Sequence, residues 1–271
     1  MAAQSQPAFP LLKVIRGEGC RLFVRLVPYD QIATFWLPEG VSASPKDSTI
    51  PSPPGFKYDR IPTGAYAPGA DGVWEVTEDN GQLRYVSRAR VIKSGERLDI
   101  ELTFVNRTAH DWGHVGAAPC LAPPPAFQDD GLRRTYVVGP EGALRALGEL
   151  VDGYNYNVIS VRGGEKQGPS PGMDPQWRYH NIWLADVVIM TEADDGRYTL
   201  VKAFETASSV CTGFHGPCIH SQASARDIPA GGEKTVRGIL ALVAGRAAEG
   251  YAYYLAWRES LFSRPEKRSS L

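Results

Sequence analysis

The chain has 271 residues, of which 43% are hydrophobic, and 29 Lys and Arg against 30 Asp and Glu give a formal net charge of -1. This length is sufficient to bury a full hydrophobic core. A nearly neutral chain without a clustered excess of basic residues lacks the attraction to phosphate that nucleic-acid binding requires. No window reaches the roughly 18 consecutive apolar residues of a membrane span. The composition therefore predicts a soluble globular protein that binds neither nucleic acid nor membrane, and it leaves the oligomeric state open.

The N-terminal segment Met-Ala-Ala-Gln-Ser-Gln-Pro lacks the basic and then apolar pattern of a secretory signal. We therefore expect a cytoplasmic protein, or an exported one whose leader has been removed. The four cysteines, Cys20, Cys120, Cys211 and Cys218, do not decide between these compartments, and their spacing does not reveal which of them pair. Free thiols are the expectation, and a disulfide between Cys211 and Cys218 is the alternative.

Alternation of apolar and polar residues dominates the chain and predicts β-strands. The clearest case is residues 97–105, where every second residue from Leu98 to Phe104 is apolar. The same pattern predicts strands at residues 20–27, 81–92, 133–138, 182–190, 198–204 and 235–243. Short glycine-containing turns, such as residues 78–81 and 93–96, separate the strands. The pattern predicts a mostly β fold, an antiparallel β-sandwich, as a single domain over residues 1–271.

Helical periodicity is scarce. Residues 247–262 place Tyr251, Tyr254 and Leu255 on one stripe and predict a C-terminal helix. Residues 142–150, bounded by glycine and proline, predict a second and shorter helix. Two long segments, residues 42–72 and 163–178, predict loops, and prolines throughout the first prevent it from forming a central strand. Aromatic residues in both segments favour binding loops over spacers.

Two short phrases of the sequence resemble known proteins. A strand that ends in Val105-Asn106-Arg-Thr, followed by a turn and a strand that ends in Pro119-Cys120-Leu, resembles carbohydrate-processing proteins of the galactose mutarotase-like supersandwich class. Pro217-Cys218-Ile-His220-Ser, followed by Asp227-Ile-Pro-Ala-Gly-Gly, resembles uncharacterised bacterial β-rich proteins. The resemblance implies a β-sandwich of the supersandwich type. It assigns no catalytic residue, because similarity of fold is a poor guide to chemistry.

The densest cluster of reactive side chains is the segment Cys211-Thr-Gly-Phe-His215-Gly-Pro-Cys218-Ile-His220. Thiol and imidazole groups bind transition metals, act as nucleophiles and move protons near neutral pH. The local sequence around Cys218 is not that of a thiol protease. We interpret the two cysteines as packing residues and predict His215 and His220 as catalytic acid–base groups. One alternative is that both histidines are hydrogen-bonding loop residues, and another is that the two cysteines and two histidines of this segment form a structural zinc site.

Three further histidines are candidates for the same site. His110-Asp-Trp-Gly-His114 places two imidazoles in a turn after the strand at residues 97–105. They are surface or capping residues, or they meet His215 and His220 across neighbouring strands and form a site for zinc, iron or copper. His180, at the start of a predicted strand, could face the same cleft. The cofactor is unknown from sequence, and a divalent transition metal at His110, His114, His215 and His220 is one hypothesis.

Arginine and aromatic side chains supply candidates for substrate binding. In Asp129-Asp130-Gly-Leu-Arg133-Arg134 both signs of charge share a turn. The simplest interpretation is a salt-bridged turn, and the alternative is that Arg133 or Arg134 binds the carboxylate of an acidic sugar. Aromatic planes pack on the C–H faces of sugars, which favours four residues as stacking platforms, namely Tyr58, Trp112, Trp177 and Trp183.

Three hypotheses for function follow. The favoured one is an enzyme that acts on a carbohydrate, an oligosaccharide or a similar polyhydroxylated small molecule, as an isomerase, lyase or hydrolase. Its predicted catalytic residues are His215, His220, His180 and Arg134. The second hypothesis is a metal-dependent enzyme with a histidine-rich site. The third is a non-catalytic β-sandwich that binds a glycan or another protein.

Overall fold

The computed structural model describes residues 10–57, 65–69, 71–151, 153, 156–164, 177–213 and 218–263. Over these residues the chain forms two large β-sheets, which confirms the predicted mostly β class and the antiparallel sandwich. The predicted C-terminal helix has the expected bounds, α1 (Ala247–Phe262). In the described part of the chain, no helix has the length and apolar composition needed to cross a membrane.

In chain order, the described strands are β1 (Leu12–Glu18), β2 (Arg21–Leu26), β3 (Gln31–Trp36), β4 (Gly40–Pro45), β5 (Phe56–Lys57), β6 (Ala67–Pro68), β7 (Trp74–Asp79), β8 (Leu83–Val91), β9 (Arg97–Asn106), β10 (Trp112–Ala117), β11 (Cys120–Ala122), β12 (Thr135–Val138), β13 (Leu144–Ala146), β14 (Tyr156–Val161), β15 (Trp177–Leu184), β16 (Ile189–Glu192), β17 (Tyr198–Phe204), β18 (Ala207–Gly213), β19 (Ile219–Ile228) and β20 (Glu233–Ala244). Short 3-10 helices lie at Val27–Tyr29, Pro125–Phe127 and Leu147–Glu149.

The first sheet is branched around β19. The N-terminal half of β19 pairs with β11 on one side and with β18 on the other, and its C-terminal half pairs with β10. From β11 the sheet continues through β3 and β2 to β1, and from β18 it continues through β14 to β15. The third branch leads from β10 through β4 to β5. β19 is therefore the strand on which the neighbouring elements of this sheet converge.

The second sheet has its described strands in the order β13-β12-β16-β17-β20-β9-β8-β7-β6. Its strands β7, β8 and β9 form a meander with short turns. Gly81 and Gly95, in two of the predicted turns, have φ values of 84° and 78°. Only glycine enters this left-handed region without a steric cost, so these residues explain why the chain reverses here.

The main core fills the space between the two sheets. The strand predicted at residues 97–105 buries the expected face, because Leu98, Ile100, Leu102 and Phe104 all belong to this core. The first sheet contributes large buried side chains from its own inner face, among them Leu22, Phe35, Leu121 and Ile219. Burial of this apolar surface is the main stabilising contribution to the fold.

A second hydrophobic cluster lies on the outer face of the second sheet, beneath α1. There the described residues Val201, Ala203, Ile239 and Ala241 pack together with Tyr254 and Trp257 of the helix. α1 approaches β17 closely at Gly250, where a Cβ atom would lie 2.9 Å from Thr199 Cγ2. The helix therefore needs glycine at this position to reach the sheet.

Two predicted elements are wrong. The strand predicted at residues 182–190 is divided, because β15 ends at Leu184 and β16 begins at Ile189. Between them Asp186 accepts hydrogen bonds from the Tyr254 hydroxyl and the Arg258 guanidinium of α1, which fixes a turn there. The helix predicted at residues 142–150 is instead β13 and a 3-10 helix. A segment this short cannot hold an isolated helix, and β12 offers it a strand edge.

The two predicted loops have different outcomes. Residues 42–72 contain the end of β4 and the two-residue strands β5 and β6, so this segment is less irregular than predicted. Pro68 lies in an edge strand of the second sheet, a position that tolerates the missing donor. Residues 165–176 of the second loop lie outside the described residues, and β15 already begins at Trp177.

Candidate functional site

The candidate site lies in the first sheet, where β11 and β19 begin. Cys120 is the first residue of β11 and pairs with His220, the second residue of β19. Residues paired in this way point to the same face of a sheet. Cys218 stands one residue before β19, so the chain brings two thiols and one imidazole together from two segments.

The three side chains are in direct contact. Cys120 Sγ lies 2.7 Å from Cys218 Sγ, and Cys218 Sγ lies 3.1 Å from His220 Nε2. On the other side of the imidazole, Glu39 Oε2 lies 4.0 Å from His220 Nδ1. Cys120 and His220 are 1% and 5% exposed, whereas Cys218 is half-buried. Cys218 is therefore the thiol of the pair that solvent reaches.

A buried lysine of the second sheet holds the two segments in place. Lys202 of β17 points across the interior, and its ammonium group lies 5.2 Å from the centroid of the Phe35 ring. Nζ donates hydrogen bonds to the carbonyl oxygens of Pro119 (2.7 Å) and Ile219 (2.8 Å). These carbonyls directly precede Cys120 and His220 in sequence. Burial lowers the pKa of Lys202 to about 7, and the neighbouring thiols partly oppose this shift.

The electrostatics of the site separate the two thiols. The hydrogen bond from Cys120 lowers the pKa of Cys218, and the contact with His220 lowers it further, although burial opposes both effects. The same hydrogen bond, together with burial, raises the pKa of Cys120. Burial also raises the pKa of the Glu39 carboxyl. Of the two thiols, Cys218 is therefore the one whose negative form the site favours.

Aromatic side chains surround this cluster on one face of the sheet. Side-by-side pairing places six residues in a row across the sheet, in the order Trp36, Cys120, His220, Cys211, Val158 and Tyr179. Tyr156 and Ser160, two residues on either side of Val158, point the same way, and Trp183 pairs with Ser160. We call this the site face. Burial is the largest cause of the raised pKa of Tyr156, and the charge of the Cys218 thiol is the next largest. This effect agrees with the proximity of the two side chains.

The ligand atoms of Cys120, Cys218 and His220 all lie within 4.8 Å of one another, and in the part of the chain that the structure describes they form the one such set. Thiolate and imidazole are ligands that zinc and copper accept. Two sulfurs bound to one tetrahedral zinc ion lie about 3.8 Å apart, given a Zn–S bond of about 2.3 Å. Because the sulfurs here are 2.7 Å apart, they would have to separate by about 1 Å to bind such an ion.

The predicted metal site of four histidines is wrong for the residues that can be placed. His114 lies in β10 instead of a turn and pairs with Arg226, which is six residues after His220 on β19. At about 3.3 Å per residue, His114 and His220 are about 20 Å apart. His110 is exposed beyond the start of β10, beside a cavity of about 270 Å³. His215 lies outside the described residues.

His180 does not join His220 on one face of the sheet, and its catalytic role stays a prediction. His180 pairs with Ile159, one residue after Val158, and successive residues of a strand point to opposite faces. It therefore faces away from the site face. Its Nε2 lies 2.7 Å from Asn157 Oδ1.

Arg134 is part of a salt-bridged turn beside the second sheet. Its guanidinium donates to the carbonyl oxygens of Glu192 (2.7 Å) and Gln128, and its amide donates to Asp129 Oδ2 at 2.7 Å. Arg133 is exposed in the same turn. This geometry supports the simpler structural interpretation of Arg134, and the catalytic role of Arg134 and the sugar clamp at Arg133 stay predictions.

The predicted aromatic platforms have three outcomes. Trp112 is fully buried in the main core, so it cannot stack on a substrate. Trp183 is half-buried on the site face and remains a candidate. The side chain of Trp177 and the whole of Tyr58 lie outside the described residues.

Sequence reasoning missed three residues of the site and misjudged one. Lys202 was detectable, because the strand predicted at residues 198–204 places it at an inward position between Leu200 and Phe204. No local pattern marks Cys120 or Glu39, which reach the site only through strand pairing. Cys218 was interpreted as a packing residue, yet it contacts both Cys120 and His220.

Comparison with known proteins gives solved structures only. Neither a protein-family model nor a curated protein matches the sequence. A galactose mutarotase-like protein from Lactobacillus casei is 9% identical, covers 85% of this chain and 96% of its own, and has a TM-score of 0.46. A galactose mutarotase related enzyme from Lactobacillus acidophilus is 8% identical, with coverage of 87% and 98% and a TM-score of 0.43.

A third structure, provisionally described as a kojibiose phosphorylase from the human microbiome, is 8% identical with a TM-score of 0.41. It covers 83% of this chain, which spans only 25% of that protein. The names of the first two structures match the class that the sequence resembles. At TM-scores below 0.5, these similarities assign neither a family nor an activity to this chain.

Proposed function

We propose that this chain is an enzyme that acts on a carbohydrate or a similar polyhydroxylated small molecule at the site face, with His220 as the proton-transferring group. The observation that supports this proposal most directly is the 3.1 Å contact between Cys218 Sγ and His220 Nε2. Imidazole is the side chain most often used for general acid–base catalysis, and Cys218 Sγ lies within hydrogen-bond reach of it. The pair is therefore suited to acid–base catalysis.

The groups on either side of His220 complete a proton donor and acceptor set. Cys218 adjoins Nε2, and the Glu39 carboxyl adjoins Nδ1. Because burial raises the pKa of Glu39, this carboxyl keeps a proton at pH values where an exposed glutamate has lost it. Isomerases, lyases and hydrolases of sugars all need one group that gives a proton and another that accepts one.

The aromatic residues of the site face support a sugar as the substrate. Trp36, Tyr156, Tyr179 and Trp183 are half-buried, so each keeps part of its ring accessible. Rings of this kind pack on the C–H faces of sugars while hydroxyl groups bind the polar rim. Gln222 lies two residues after His220, and its partner Ser209 lies two residues before Cys211. Both therefore add polar groups to the site face.

The decisive experiment is a reaction screen followed by NMR. The protein is incubated with free aldoses, uronic acids and disaccharides, and the spectra report anomer exchange, elimination or hydrolysis. We expect one class to react. For that class the His220→Gln variant should lose about 10²- to 10⁴-fold in turnover, the usual contribution of a general acid or base. His110→Gln, an exposed histidine outside the site, is the matched control and should retain full turnover.

Two results would contradict this proposal. Turnover that His220→Gln leaves unchanged would remove His220 from the reaction. Saccharide binding without any turnover would identify a glycan-binding sandwich, the third hypothesis, instead of an enzyme. Thermal melting of each variant separates a loss of chemistry from a loss of folding.

A further inference from the structure

The contact between Cys120 and Cys218 has a second chemical consequence, which does not depend on the reaction that the site catalyses. The two residues are 98 positions apart in sequence, yet their sulfurs lie 2.7 Å apart. Both are free thiols, as are Cys20 and Cys211. A disulfide has an S–S distance of about 2.05 Å, so bond formation requires the two sulfurs to move together by less than about 1 Å. Binding of zinc requires them to move apart instead.

The two thiols differ in their exposure to solvent. A two-step oxidation requires one thiol that an oxidant can reach and a second thiol beside it. Cys218 is half-buried and can meet a small oxidant, whereas Cys120 is 1% exposed and lies in contact with Cys218 Sγ. Redox-sensitive cysteines are typically accessible thiolates that lie beside a second, resolving cysteine. His220 and Lys202 both favour the negative charge on Cys218, which makes it the nucleophile of the pair.

We propose that Cys120 and Cys218 form a reversible thiol–disulfide couple whose oxidant is a hydroperoxide. In the first step the Cys218 sulfur attacks the terminal peroxide oxygen, the O–O bond breaks, and an alcohol or water leaves with a proton from the site. In the second step the Cys120 sulfur attacks the resulting sulfenic acid, its proton joins the departing hydroxyl, and water leaves. Two electrons pass from the two thiols to the peroxide, and a dithiol reductant restores both thiols by reducing the disulfide.

The other two cysteines are internal controls for this proposal. Cys211 is fully buried and Cys20 is 4% exposed. Burial raises the pKa of Cys211, and it raises that of Cys20 to about 11. Neither presents an accessible thiolate, so both should remain reduced under conditions that oxidise Cys218.

The test uses the reduced full-length protein and hydrogen peroxide. After treatment, free thiols are alkylated with N-ethylmaleimide and the peptides are identified by mass spectrometry. We expect a Cys120–Cys218 cross-linked peptide that dithiothreitol removes, with Cys20 and Cys211 still alkylated. Before oxidation, iodoacetamide at pH 6 should modify Cys218 at least about tenfold faster than Cys20 or Cys211. These measurements need no variant, so they stand even if a cysteine substitution impairs folding.

Variants assign the two roles. Cys120→Ser should accumulate a sulfenic acid on Cys218 that dimedone traps, without a cross-link. Cys218→Ser should leave Cys120 reduced, and Cys211→Ser should cross-link as the wild type does. The proposal is overturned if oxidised wild-type protein has no Cys120–Cys218 peptide, or if Cys20 or Cys211 reacts first. Stoichiometric zinc that copurifies and is absent from Cys218→Ser would also overturn it, because the sulfurs would then bind a metal.

Discussion

The outer faces of the two sheets have opposite characters. The second sheet presents Val201, Ala203 and Ile239 outward, and α1 covers them with Tyr254 and Trp257. On the first sheet, the face that points away from the main core has thiols, an imidazole, hydroxyl groups and half-buried aromatic rings. Burial of an apolar face stabilises the fold. Burial of ionisable groups with shifted pKa values does not stabilise it in this way.

This difference separates residues that maintain the fold from residues that supply chemistry. The cluster under α1 is explained fully by burial of apolar area. The site face brings two cysteines, a histidine and a carboxylate together, and their desolvation costs free energy. Clusters of buried ionisable groups of this kind are typical of functional sites. Substitutions on the two faces should therefore change different measurements.

The largest expected effect comes from the helix-covered face. Trp257→Ala removes a side chain that is 5% exposed and packs beside Tyr254, with ring centroids 5.9 Å apart. We expect the free energy of unfolding to fall by about 3–5 kcal/mol, as for other buried aromatic residues replaced by alanine. Urea denaturation measures this loss. In the folded protein, the rate of Cys218 alkylation should stay unchanged.

Phe262→Ala is the matched control on the same helix, because this side chain is 83% exposed. It should change the free energy of unfolding by no more than about 0.5 kcal/mol. Equal losses in the two variants would contradict a stabilising contribution from the packing of Trp257 on the sheet.

The next effect concerns Lys202, which links the two sheets. Its pKa is lowered to about 7 in the folded protein from 10.5, so between these values the unfolded chain binds the extra proton. Unfolding in this window takes up a proton, and raising the pH therefore stabilises the folded state. Relative to Lys202→Met, the unfolding free energy of the wild type should rise by up to about 1.4 kcal/mol per pH unit above pH 7.

Urea denaturation at pH 6, 7.5 and 9 checks this slope. Below pH 7 the lysine is protonated in both states, so the difference between wild type and Lys202→Met should become constant. Lys93→Met, an exposed lysine, is the control and should show no such slope. A difference that stays constant from pH 6 to pH 9 would mean that burial does not lower the pKa of Lys202 in the folded protein.

A smaller effect is expected on the site face. Trp183→Ala should weaken binding of the saccharide identified by the screen about tenfold, or about 1.4 kcal/mol, because a stacking plane is lost. Trp183→Phe retains an aromatic plane and should bind within about threefold of the wild type. Isothermal titration calorimetry measures both. An unchanged Kd in Trp183→Ala would place the ligand away from this residue.

The smallest effect is expected at the Arg258–Asp186 ion pair, 2.6 Å long, at the edge of the helix-covered face. Arg258 is 42% exposed in its side chain, and Tyr254 continues to donate to Asp186 when the arginine is removed. Arg258→Met should therefore lower the free energy of unfolding by about 0.5–1 kcal/mol, with a smaller loss in high salt. A loss of several kcal/mol would show that Asp186 depends on Arg258 for its stability in the fold.

The strands and the C-terminal helix were the most predictable parts of the molecule. The strand at residues 198–204 and the helix at residues 247–262 have the predicted bounds, because side-chain periodicity is a local property. The same periodicity could not show that residues 182–190 contain a turn. That turn depends on hydrogen bonds from α1 to Asp186, about seventy positions away.

Part of the candidate site was also visible in the sequence. His220 was predicted as a catalytic residue from its place in a thiol- and imidazole-rich segment, and it lies at the centre of the cluster. Two of its proposed partners were wrong, because strand pairing puts His114 about 20 Å away along β19 and turns His180 to the opposite face. Proximity in sequence is a poor measure of proximity between strands.

By itself, the sequence determined the mostly β class, the positions of most strands, the single long helix and the segment that contains the reactive groups. Tertiary structure alone decided which groups meet. Cys120 and Glu39 reach His220 only because β3, β11 and β19 pair in one register, and Lys202 reaches it only because the two sheets pack face to face. Register and sheet packing depend on contacts between distant residues, so no local pattern contains them.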